Sequence, residues 1–263
     1  MCKGVLYSLQ DGKATMLRSG FGLALLTAAS FGTSGTFASA LTAAGWSPGA
    51  AVTARVSLAA LVLTVPGVLQ LRRHPVRWTA RSAAILGAFG LVAVAGCQFA
   101  YFSAVQRLSV GVALMLEYLG IVLVVLWVWF RTRQRPGWLT VGGSAAALLG
   151  LVLVLDLSGP TRLDPVGVLW GLAAGTGVAV YFVLSARAEE ALPPVSMAWA
   201  GTGIGALGLL AAAALGLLPL TASLDDVRLG PVTTGWVVPV LGLALVATVA
   251  AYSMGIAAAR RLG

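Results

Sequence analysis

Apolar runs of about twenty residues recur along this chain, separated by short clusters of arginine, glycine and proline. At 1.5 Å of rise per residue, a run of that length crosses the hydrocarbon of a bilayer as one helix. Eight such windows are read: 20–43, 49–71, 83–105, 110–130, 138–157, 166–186, 195–218 and 236–258. The interruptions are turn signals, namely Gly45-Trp46-Ser47-Pro48, His74-Pro75, Arg135-Pro136-Gly137, Ser158-Gly159-Pro160, Pro193-Pro194 and Gly230-Pro231. Short connections make consecutive helices neighbours. The expected product is an all-α membrane protein preceded by a polar, unpatterned tail over 1–19, in which Met16 is an alternative start.

Composition agrees with the pattern. Over 263 residues, 59% are hydrophobic, 10% are charged and the mean hydropathy is +0.95, more apolar surface than a soluble core can hide. The net charge of +9 would suggest nucleic acid if the basic residues shared one face. They fall instead between apolar runs, as the positive-inside rule requires, and nucleic acid is not an expected partner. With the N-terminus in the cytoplasm, thirteen basic residues lie inside, among them Arg72, Arg73, Arg131 and Arg133. Only Arg107, Arg162 and Arg228 lie outside, and Arg55 falls within the second window. The expected location is therefore the plasma membrane, multi-pass, with the lipid bilayer as partner. Ala38-Ser39-Ala40 resembles a cleavage site, but the apolar run before it is too long for a signal peptide core. Cys2 and Cys97 are the only cysteines and His74 the only histidine, so no metal or cofactor site is read. A P-loop and a nucleotide fingerprint are likewise missing from the sequence.

One carboxylate, Glu117, stands in the middle of the fourth window. An acid at membrane depth is costly and marks function by default. It shares a helix face with Ala113 and Gly120, small residues that let neighbouring helices approach. Glu117 lies roughly 10–12 Å from the outer edge and Arg55 roughly 8–9 Å, counted at 1.5 Å per residue. Arg55 is long enough to snorkel, whereas glutamate is too short. The two opposite charges are expected to approach each other in at least one conformation. Gln98, Tyr101, Tyr118, Tyr181, Tyr252 and Ser34 complete the set of groups read as lining a solute and ion pathway, with Thr33 and Ser253 beside them. Gly171/Gly175 and Gly201/Gly205 read as close-packing pairs, and Trp127, Trp129, Trp138, Trp170 and Trp236 as interface anchors. Gly32-Thr33-Ser34-Gly35 matches an intramembrane serine nucleophile motif, but its only available base, His74, belongs at the other membrane edge, so no catalytic residue is assigned.

The two halves also resemble each other. Ala28 to Gly32 leading to Pro48 parallels Ala174 to Ala179 leading to Pro194, and Gln106-Arg107-Leu108 parallels Arg260-Arg261-Leu262. The offset is five spans, an odd number, which inverts the second copy in the membrane. Together with Arg55, Arg72-Arg73, Arg107-Leu108-Ser109-Val110-Gly111 and Glu117, this pattern resembles the EamA type of the drug/metabolite transporter superfamily. Leu116-Glu117-Tyr118-Leu119-Gly120 looks like the threonine/homoserine exporter branch, with Ile121 where that branch usually carries proline.

The resemblance implies two inverted five-helix repeats, 20–157 and 164–263, the second ending after its third helix. Eight of an expected ten transmembrane helices would thus be present, and two more spans would follow Gly263. It also implies a secondary transporter working by alternating access. Its task would be export of a small metabolite or amino-acid-like solute driven by a proton or solute gradient; a coupling proton and a second copy in a homodimer are the candidate partners. The competing classes are an intramembrane enzyme and a non-transporting structural or regulatory membrane subunit.

Overall fold

The computed structural model describes residues 2–76, 79–133, 135–154, 164–188, 193–251 and 254. Among them eight helices form: α1 (Cys2–Ala43), α2 (Pro48–Arg73), α3 (Ala80–Val105), α4 (Val110–Thr132), α5 (Trp138–Val154), α6 (Pro165–Ala188), α7 (Pro194–Ala214) and α8 (Val237–Ala250). They coincide in order with the eight apolar windows. Five are long and apolar enough to cross a membrane by themselves: α2, α3, α4, and the segments Pro165–Ser185 of α6 and Val195–Ala214 of α7. The ends of the fifth and eighth windows, 155–157 and 252–258, lie largely outside the described residues. The backbone of α1 is helical from Cys2, so the polar tail continues into the first span without a break.

Helix starts follow the hydroxyl residues before them. Ser47, Thr79 and Ser109 each accept a hydrogen bond from the first turn of α2, α3 and α4, and Thr79 with Ser82 closes a reciprocal capping box. Two helices contain a wider π-helical stretch, Phe89–Gly96 in α3 and Gly242–Ala250 in α8. Such turns are rare and concentrate at functional places.

The helices pack through small residues. At the α4–α6 seam, a Cβ built on Gly175 would sit 2.6 Å from the Leu116 carbonyl oxygen, and one on Gly120 would collide with the Gly175 carbonyl. At the α3–α7 seam, a Cβ on Gly90 would lie 2.8 Å from the Gly201 carbonyl, and one on Gly205 2.9 Å from that of Gly90. Each expected glycine pair therefore has one member at a backbone approach, Gly175 and Gly205, and one against a side chain, Gly171 on Leu116 and Gly201 on Phe89. Across the α2–α7 contact, Ser196 donates from its hydroxyl to Gly67 (2.9 Å) and from its amide to Gln70 Oε1 (3.0 Å).

At one end of the bundle a two-stranded antiparallel hairpin appears, β1 (Val227–Leu229) and β2 (Val232–Thr234), which the apolar pattern did not foreshadow. Its two-residue turn is Gly230-Pro231, with positive φ (62°) at Gly230, the conformation a tight hairpin asks of its first central residue. The chain before the hairpin is strapped to the α1–α2 turn. Ser47 N–H donates to Thr221 (2.9 Å), its hydroxyl donates to Pro219 (2.7 Å), and Trp46 Nε1 donates to Ser223 (2.7 Å). Trp236 packs against Trp46, with ring centroids 5.8 Å apart and the rings tilted by 36°, and so belongs to this strap rather than to a lipid-facing belt. Trp127, Trp129 and Trp138 are exposed, as interface anchors should be.

The seams give a sharp contrast between glycines. Gly142 has nothing within 4 Å of a built Cβ, so Gly142→Ala should gain about 1 kcal/mol from helix propensity. Gly120→Ala meets backbone, which cannot move aside, and should lose about 1–3 kcal/mol through overpacking. Thermal unfolding of the two variants in detergent reads the difference, and equal transition temperatures would contradict the seam.

Candidate functional site

The N-cap at Ser47 sets the depth of α2, and eight residues on, about 12 Å along the helix, it delivers Arg55 to the interior. Arg55 is 2% exposed, so its guanidinium does not snorkel. Nε donates to Thr248 Oγ1 at 2.7 Å, Nη1 to Ser34 Oγ at 2.9 Å and Nη2 to the Ala247 carbonyl at 3.1 Å. One side chain thus ties α2 to α1 and α8. Thr248 can accept because its own proton goes to the Leu243 carbonyl five residues back (2.8 Å), a reach supplied by the π-helical stretch.

Tyr101 of α3 stands beside this cluster. It is 3% exposed, and its hydroxyl has no hydrogen-bond partner among the described residues. The approach depends on Gly35, where a Cβ would be 2.9 Å from the Tyr101 oxygen. A buried hydroxyl left open costs about 1–3 kcal/mol, which a passing polar ligand would recover.

Glu117 faces the same interior from α4 and is half-buried. The Cys97 thiol lies between α3, α4 and α6, with its sulfur 3.4 Å from the Ala174 carbonyl and 3.9 Å from Glu117 Oε1. A thiol has one proton, and the shorter contact claims it. Arg55 is close enough to act electrostatically on both Glu117 and Tyr101, yet it makes no ion pair with Glu117. The anticipated pairing is thus not seen in this conformation, because hydroxyl and carbonyl oxygens from α1 and α8 occupy the guanidinium.

The other anticipated residues divide. Ser34 joins the cluster as an acceptor for Arg55. His74 lies nineteen residues from Arg55, about 28 Å along α2. Gln98 is half-buried one residue from Cys97. Tyr181 is half-buried and packs on Phe89 at 5.2 Å. Tyr118 is 37% exposed, turned away from the cluster by its one-residue offset from Glu117. Thr33 bonds its own helix at the Ser30 carbonyl. Tyr252 and Ser253 lie outside the described residues. Thr248 and Cys97 were not among the anticipated residues. Each is a lone polar or polarisable group inside an apolar run, a signal too weak to separate from ordinary packing.

At the hairpin end, Arg107 and Asp164 form an ion pair at 3.0 Å, and Asp164 also accepts from the Val166 amide at the start of α6. The bond from Arg107, with that amide second, holds the Asp164 carboxyl below the usual aspartate value. A depressed folded value adds stability above the unfolded value of about 3.9 and loses it as pH falls through the folded one. Asp164→Asn should therefore lower the unfolding temperature at neutral pH, and the gap should close in acid. The effect should be small and should shrink with salt, since the pair is exposed. A gap that persists at acid pH would contradict it.

The Arg55 cluster makes a larger prediction. Arg55→Ala strips a donor from Ser34 and Ala247, at about 1–3 kcal/mol for each buried group left unsatisfied. It also leaves Glu117 without the nearby positive charge, so adding Glu117→Gln should restore part of the loss. Thermal unfolding of the single and double variants measures this, and simple additivity would contradict the electrostatic link.

Comparison with known proteins agrees with a bundle of this kind. A crystal structure described only as that of a protein shares the fold with a TM-score of 0.61 at 22% identity, over 93% of this chain and 79% of the other. No curated protein matches the sequence. Residues 18–156, more than half of the chain and spanning both Arg55 and Glu117, match the EamA-like transporter family. This multi-pass helical protein belongs to the EamA-like transporter family.

Proposed function

We propose that this protein is a secondary transporter of the plasma membrane, with a cytoplasmic N-terminus, that exports a small metabolite or amino-acid-like solute by alternating access. The observation that carries the reading is the interior pair of opposite charges, Arg55 on α2 and Glu117 on α4, held apart with the unpartnered Tyr101 hydroxyl beside them. A solute bearing both a carboxylate and an ammonium group is complementary to that arrangement. Of the chain's acids, Glu117 alone stands well inside a span, so it is the group that carries a coupling proton.

The reading includes inverted repeats. Ala93 and Ala247 each stand fourteen residues before an Arg-Leu pair, Arg107-Leu108 and Arg261-Leu262, and each lies in a π-helical stretch. The packing has the same alternation. The contact of α3 with α6 and α7 is answered by that of α8 with α1 and α2. Two halves related in this way can rock about the α2–α7 contact and open the centre to either side.

Sealed proteoliposomes loaded with the purified chain test the reading. L-Threonine and other L-amino acids are offered one at a time, with and without a pH gradient. Gradient-dependent movement of at least one is expected, and Glu117→Gln should abolish the dependence on pH while leaving membrane insertion intact. Unchanged coupling in that variant would remove Glu117 from the proton path. Failure to move any amino acid would count against the solute class.

A further inference from the structure

Two π-helical stretches occupy corresponding places, yet different forces hold them. In α3, the Cys97 amide bonds to the Val92 and Val94 carbonyls and passes over Ala93. That stretch is clamped by backbone, with Gly90 against Gly201 and Gly205 of α7. In α8, the Ala251 amide turns to the Thr248 carbonyl, and the Ala247 carbonyl accepts Nη2 of Arg55 instead. Arg55 stands seven residues after Pro48, and the residue seven after Pro194 is Gly201. An arginine therefore holds one π turn where a glycine contact holds the other. A guanidinium can be recruited elsewhere by a ligand, and packed glycines cannot.

We propose that Thr248 is a positioning residue for Arg55, and that the π turn carrying it is a latch released when a solute carboxylate takes the guanidinium. This rests on reading Arg55 as the anion-binding group of the transport site. A carboxylate binds a guanidinium through two parallel N–H donors and more strongly than neutral oxygens do. Among the described residues, Nη1 donates to Ser34, Nη2 to Ala247 and Nε to Thr248. A carboxylate that takes the Nε–Nη2 edge of the guanidinium displaces both contacts to α8, those to Thr248 and Ala247. The π turn then loses the charged donor that holds it at Thr248 and Ala247 and loosens, so occupancy of the site becomes a change in the geometry of α8.

Hydrogen exchange of the purified chain in detergent, read by mass spectrometry over 242–250 and 89–96, tests the latch. Thr248→Val and Arg55→Met should each speed exchange of 242–250 by about tenfold, the scale of one lost bond to a charged donor. Thr248→Ser, which keeps the hydroxyl, should match the unaltered chain, and 89–96 should not change. No acceleration in 242–250, or equal acceleration in both segments, overturns the proposal, since the second outcome is general loosening. Adding a transported amino acid should speed 242–250 in the unaltered chain and have no effect in Arg55→Met. A transported amino acid that leaves 242–250 unchanged also overturns it. If no amino acid is moved, the solute reading has failed, and the Thr248 and Arg55 variants alone uphold or overturn the latch.

Discussion

A guanidinium in the interior of an apolar helical bundle must have acceptors brought to it, because water cannot reach it and a lone buried charge is prohibitively costly. Among the described residues, three oxygens from α1 and α8 do this for Arg55. Much of the architecture can be read as what those contacts require. The Ser47 cap and its strap to Pro219 and Thr221 fix the depth of α2, and the π turn of α8 aims Thr248 and exposes the Ala247 carbonyl. Moving either by one residue would take the acceptor out of reach.

The glycine seams serve the same end by a different force. Hydrogen bonds of 2.7–3.1 Å between side chains on separate helices need the backbones to come close, and small residues allow it. Gly35 admits Tyr101 to the cluster, Gly175 and Gly120 bring α6 against α4 near Glu117, and Gly177 leaves room for Cys97. Dispersion and close packing hold the helices, and the polar groups decide which arrangement of them is satisfied.

The separation of Arg55 from Glu117 bears on mechanism. Had the two formed a tight ion pair, a solute would have had to break it before binding to either. Hydroxyl and carbonyl partners are weaker competitors for a guanidinium than a carboxylate is. Membership of a transporter family fits such an interior, which is charged and only partly satisfied.

Hydropathy alone placed the described helices in their order along the chain, since the requirement that backbone polar groups in lipid be bonded within a helix leaves little other choice. It also singled out Arg55 and Glu117, because a charge in an apolar run is conspicuous without any knowledge of its neighbours. Turn chemistry at Gly230-Pro231 was legible, but not that the turn would close a hairpin, because its strands are only three residues each. What the sequence left open was who meets whom. Thr248 in an apolar run looks like any tolerated hydroxyl, and it acquires a role only because a π turn rotates it toward an arginine nearly two hundred residues away in the chain. The absence of an Arg55–Glu117 pair in this conformation has the same reason: similar depth is a property of each span, but the partner a buried group takes depends on rotation and neighbour, which only the packed bundle decides.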